Sequence, residues 1–158
     1  QATDDAIEMV AARYGIEVST DIDPTIVLLA DPDRLVQILR NLVENAAKYG
    51  KTGVGVKAVA EGGGCRITVY DNGPGVPAEA AKRIFRFWDR GAQDGDQIRG
   101  HGMGLAIARH LAMAMVGDLI YQPHEPMGSE FVLTLPTGPH QAVHVAPSEL
   151  ELPAATAF

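Results

Sequence analysis

A chain of 158 residues, 46% hydrophobic and 21% charged, has the size and composition of one soluble domain with a real core. Its formal net charge of −7 argues against a nucleic-acid-binding face and means that a phosphate-bearing ligand needs a cation or backbone amides to receive it. The single cysteine, Cys65, excludes an intrachain disulfide and a cysteine-built zinc site; no run approaches the roughly 20 apolar residues that span a bilayer, and no secretory signal is present.

The chain starts at Gln1 rather than at a methionine, as a segment of a longer protein would. Asp4 or Asp5 can cap a first helix running to Tyr14, with Ile7, Val10 and Ala11 as its apolar stripe and Gly15 as its stop. Ile16 to Thr20 alternates like a half-buried strand, and Thr25 to Ala30 is a denser apolar run read as another. A long helix follows from Asp31 to Gly50. It places Leu35, Ile38, Leu39, Leu42 and Ala46 on one stripe and Arg34, Asn41, Asn45 and Lys48 on another. Asp31 before Pro32 is a suitable start, and Gly50 a suitable stop. Two asparagines inside a helix cost roughly half a kcal/mol each relative to alanine, so something other than propensity accounts for them. They fit either an ordinary exposed face or a face that holds a metal ion and phosphates.

Val54 to Ala60 and Arg66 to Tyr70 read as an antiparallel pair joined by Gly62, Gly63 and Gly64. A short helix is predicted from Ala78 to about Phe87. The polar, aperiodic stretch from Asp89 to His101 reads as a mobile loop, and Met103 to Val116 as a strong helix. Leu119 to Tyr121 and Glu130 to Leu135 make a last strand pair. The Pro- and Ala-rich residues after Pro136 have little to bury and read as a flexible tail, 137–158, behind a domain of residues 1–136. The order of elements predicts an α+β two-layer sandwich, a mixed sheet with helices on one face.

Three further segments carry chemistry. Asp71-Asn72-Gly73-Pro74-Gly75 follows a strand; it is a strand-ending turn, or a carboxylate placed to accept a hydrogen bond from a ligand amine with glycines allowing close approach. Gly100-His101-Gly102-Met103-Gly104-Leu105 runs into a helix, where exposed amides and the positive dipole end suit phosphate. No strand precedes it, so a dinucleotide-binding reading fails its context test. Ile84 to Gly91 is an aromatic cluster at the foot of the polar loop, with Arg90 free to point toward phosphate or a partner.

In this order, NLVENAAKYG, DNGPGVP, IFRFWDRG and GHGMGLAIA resemble the four sequence boxes of bacterial sensor histidine kinases of the GHKL ATPase superfamily, over roughly Ala6 to Leu135. The resemblance implies the Bergerat sandwich fold, ATP as substrate and Mg²⁺ as cofactor. By matching position it implies that Asn45 binds the metal and that Asn41 lines the same site. Lys48 and Tyr49 would contact phosphate and nucleotide, and Asp71 the adenine amino group in a pocket shaped by Gly73 and Gly75. Gly100, Gly102, Met103, Gly104 and Leu105 would form the lid end and the phosphate-binding helix start, with Arg90 in the catalytic set. Ser129 stands where the family has a threonine near adenine. Asp89 and His101 depart from the family's aromatic and small residues.

The acceptor histidine of such kinases lies on a separate two-helix domain. His124-Glu125 sits between Pro123 and Pro126 and cannot be within a helix, and His110 lacks an acidic follower. The resemblance therefore implies a catalytic domain alone. Its partners would be the dimerisation and phosphotransfer domain of the same parent, in cis or trans, and indirectly a response regulator; neither nucleic acid nor membrane is touched by this domain. The expected compartment is the cytoplasm, as a soluble protein or the cytoplasmic part of an anchored sensor. The rivals are a stand-alone serine kinase of the anti-sigma-factor type, a gyrase- or mismatch-repair-type ATPase, and a nucleotide-sensing interaction domain. The first two families place a glutamate base where this chain has Asn41.

Overall fold

The computed structural model describes residues 2–50, 52–86 and 103–138. Helix α1 (Ala2–Tyr14) leads into strand β1 (Val18–Ile22), followed by α2 (Pro32–Tyr49), β2 (Val54–Glu61), β3 (Gly64–Asp71), the short α3 (Ala78–Ala81), α4 (Gly104–Ala114), β4 (Asp118–Pro123) and β5 (Ser129–Pro136). The five strands lie in the order β1-β2-β3-β5-β4. β1 is parallel to β2, and the other neighbours are antiparallel. This is the predicted mixed, mostly antiparallel sheet, with α2 packed between α1 and α4.

The core lies between sheet and helices. α2 buries Leu35, Ile38, Leu39, Leu42, Val43, Ala46 and Ala47, against Val54, Val56, Ile67, Val69, Phe131 and Leu133 of the sheet. Each large aliphatic side chain so buried contributes about 1.5–3 kcal/mol. The start of α2 is as expected: the Asp31 carboxylate accepts from the amides of Asp33 (3.0 Å) and Arg34 (3.2 Å), and Pro32 opens the helix.

Several expectations are corrected. β1 is two residues later than the predicted 16–20, because the Ile16 amide is spent closing α1: it donates to Ala11 O (3.1 Å) while Gly15 donates to Ala12 O. The Thr25–Ala30 run is no strand; it makes an isolated bridge, Leu28 to Thr137, and leaves Val27 and Leu29 exposed. Gly64 belongs to β3, paired with Glu61, so the turn is the two residues Gly62 and Gly63, both with φ positive as a two-residue hairpin requires. The helix predicted to reach Phe87 ends at Ala81 and continues as turns to Phe85. α4 runs from Gly104 to Ala114 rather than from 103 to 116, and His110 on it is exposed. The lid predicted at 89–101 lies outside the described residues, as does the tail from residue 139 on.

Candidate functional site

β3 ends at Asp71, whose side chain is 2% exposed. In an antiparallel ladder a residue at the strand end faces its cross-strand partner, and here that partner is Ser129 at the start of β5. The carboxylate accepts from the Gly73 amide at 2.8 Å, and the amide and hydroxyl of Ser129 beside it favour its charged form. Burial holds its pKa above the usual carboxylate range, while the bonds from Gly73 and Ser129 and the nearby His124 pull it back. A carboxylate kept in this setting has a defined orientation and remaining lone pairs to offer a ligand donor.

The backbone around it is closely packed. A Cβ on Gly50 would stand 2.2 Å from the Asp71 Cβ, and one on Gly128 would stand 1.8 Å from the Asp71 carbonyl oxygen. Gly50 is right-handed helical, with φ −75°, so glycine is needed there for this approach and not to turn the chain. The loop after Asp71 is pinned by Tyr121, whose hydroxyl accepts from the Val76 amide at 3.1 Å. Tyr121 packs on Phe131, and Phe131 on the edge of Phe85. The Arg109 guanidinium lies over Phe85 at 5.2 Å and is held by Asp118 (3.0 Å). Arg109, Asp118 and Tyr121 carry no motif in the sequence; the contacts that give them a place join different elements of the fold.

The second part of the site is the polar face of α2. Asn41 donates from Nδ2 to Gly104 O (3.2 Å), tying α2 to the first residue of α4. With its nitrogen so used, the Asn41 side chain keeps its amide oxygen as an acceptor. Asn45 is half-buried on the same face, and among the described residues its side chain has no hydrogen-bond partner. Two neutral amide oxygens one turn apart are the donor type that Mg²⁺ prefers, with the remaining ligands from phosphate and water. Among the described residues no group of three His, Cys, Asp or Glu converges to hold a metal by itself. These residues therefore fit Mg²⁺ held jointly with a phosphate ligand.

α2 joins the two parts. Its end, Gly50, lies against Asp71, and Asn41 lies against the start of α4; nine residues separate them, roughly 13 Å at the helical rise. Met103 is exposed just before α4 and Gly104 is its first residue, while Leu105 is a core side chain that can offer a ligand its backbone alone. Lys48 and Tyr49 are on the last turn of α2, and Gly73 and Gly75 follow Asp71. Arg90, Gly100 and Gly102 lie outside the described residues. A shallow hollow of about 270 Å³ at the other end of the sheet, against Gly63, Cys65 and Val116, holds one charged pair, Glu61 with Arg66, satisfied within itself. It is not this site. Among the described residues no helix is long and apolar enough to cross a membrane.

Residues 30–139 match the family described as histidine kinase-, DNA gyrase B- and HSP90-like ATPase. The chain is 35% identical over 130 residues to the sensor histidine kinase RcsC of Escherichia coli (strain K12), covering 81% of this chain and 14% of that protein. It is 37% identical over 130 residues to the swarming motility regulation sensor protein RssA of Serratia marcescens, covering 80% and 27%. The chain thus spans about a quarter or less of these relatives. Among solved structures it resembles the mycobacterial sensor histidine kinase MprB, with a TM-score of 0.73 at 26% identity over 86% of this chain and 93% of that one. It also resembles full-length ShkA in complex with AMPPNP, with a TM-score of 0.69 at 35% identity over 87% and 29%. The chain belongs to the histidine kinase-, DNA gyrase B- and HSP90-like ATPase family, as a catalytic ATP-binding domain of the sensor-histidine-kinase kind.

Proposed function

We propose that this domain binds ATP along α2 and presents its γ-phosphate to a histidine on a separate dimerisation and phosphotransfer domain of the same parent protein, which passes it on to a response regulator. The observation that carries the reading is the pairing, by one helix, of a buried carboxylate at Gly50 with a helix N-terminus at Asn41. Asp71 accepts from the adenine amino group; guanine would set a carbonyl there and leave two acceptors opposed. Gly73, Gly75 and Ser129 shape that end. Asn45, with Asn41, would hold Mg²⁺, which when bound offsets phosphate charge on a protein of net charge −7. Lys48 and Tyr49 contact the phosphates and nucleotide, and the first amides of α4, from Gly104, receive phosphate oxygens.

Phosphoryl transfer depends on an in-line nucleophile more than on covalent chemistry by the protein. Among the described residues His110 is exposed on α4 without acceptor context, and His124 is stacked on Tyr70 at 5.0 Å. Asn41 cannot serve as the base that would activate water. Incubated with labelled ATP, the chain alone should stay unlabelled and hydrolyse near background. Adding the acceptor domain of the parent should give label on that domain's histidine. Robust turnover by the chain alone would instead make it an ATPase.

A further inference from the structure

Two neighbours on the α2 stripe reach in opposite directions. Asn41 bonds to α4, whereas Lys48, seven residues on and about 20° round the helix, leans toward α1. The Lys48 ammonium is 3.7 Å from Glu44 Oε2 and 5.9 Å from the centre of the Tyr14 ring. The other Glu44 oxygen is 3.7 Å from both Arg13 Nη1 and Arg40 Nε. Glu44 is 17% exposed, and the three cations are far more open, at 69%, 56% and 43%. The carboxylate is the fixed point of this cluster and the cations are its movable parts.

We infer that Glu44, with the Tyr14 ring, is a positioning residue that draws Lys48 toward α1 and away from the phosphate end of α4, as an internal competitor of the phosphate tail. The inference rests on Lys48 being a phosphate contact. The exchange is inexpensive, because when Lys48 turns to phosphate Glu44 keeps Arg13 and Arg40 and is never left as a buried unpaired charge. It is also reciprocal: a shift of the last turn of α1 changes the availability of Lys48, and phosphate binding loosens the α1–α2 cluster by the same free energy.

The test is calorimetric binding of a non-hydrolysable ATP analogue, and of adenosine as the phosphate-free control, to the chain and to Glu44→Gln, Lys48→Ala and the double variant. Glu44→Gln should tighten the analogue by about three- to fivefold, the scale of one exposed ion pair, with adenosine unchanged. In the Lys48→Ala background the gain should be less than half as large. Tyr14→Leu, which deletes the ring face and keeps an apolar side chain in the seam, should move the affinity the same way by about twofold. An equal gain in both backgrounds would show Glu44 acting by its charge on the ligand, and weaker binding by Glu44→Gln would show it aiming Lys48 at phosphate; either overturns the inference. If Lys48→Ala leaves the affinity for the analogue unchanged, the phosphate role of Lys48 itself falls.

Discussion

The two ends of the site are built from different material. Around Asp71 the parts are backbone: Gly50 and Gly73 bring main chain against its side chain, and Gly128 brings main chain against its carbonyl. On α2 the parts are side chains, half-buried or exposed, one of which has a competing partner in Glu44. On the proposed reading, the first end would receive a rigid ring and the second a flexible, highly charged tail. Selectivity then belongs to the packing of the fold, and affinity for phosphate to replaceable side chains.

The comparison breaks most visibly at Gly128. A Cβ there would overlap the Asp71 carbonyl, so Gly128→Ala should lose more than about 3 kcal/mol in a urea melt or fail to fold. Asp71→Ala should keep the fold but weaken ATP binding by about 10–100-fold and abolish preference over GTP, since the ligand amine loses its acceptor. Asp71 also gives the rigid end a pH signature. With its folded pKa raised, the native state holds the proton more tightly, so the group's contribution to stability falls as pH rises from about 4 through the raised value. Asp71→Asn should remove that slope from melts taken across pH. At the adjustable end, Asn45→Ala should cost about tenfold in ATP affinity with Mg²⁺ present and little in EDTA, with an unchanged melt. The smallest effect has the opposite sign. Val116 closes α4 in the left-handed region (φ 61°), with Val116 and Gly117 donating to Met113 and Ala112, and is 87% exposed. Val116→Gly should add about 1 kcal/mol without altering ATP affinity, separating stability from binding.

Much of this was legible in the residues themselves. The periodicity of α2 gave its buried stripe, and the strand-turn-strand pattern gave the β2–β3 hairpin, because both depend on local spacing. The Thr25–Ala30 run misled because a dense apolar run looks like a buried strand, while its neighbour, residues 136–138, allows a bridge and no ladder. α3 is short because the chain beyond it is drawn to Phe131 by Phe85, a contact across the fold. At the site, Asn41, Asn45 and Asp71 were marked by residue type. Glu44 and Arg109 were not, since an acidic or basic residue on a helix says nothing until its partners on other elements are known.

Cys65 gives the fold a clock. It is the chain's sole thiol, 2% exposed in β3 and registered between Ala60 and Leu135, and burial pushes its pKa up. A thiol reagent can reach it when β3 parts from a neighbouring strand, so the rate of modification counts those openings. β3 is the strand that ends at Asp71. A nucleotide held there at a hundred times its dissociation constant stabilises the closed form by about 2.7 kcal/mol, which slows the count roughly a hundredfold if opening and release are one event. The strand that carries Asp71 thus reports, through one sulfur atom at its other end, how long the sheet stays shut.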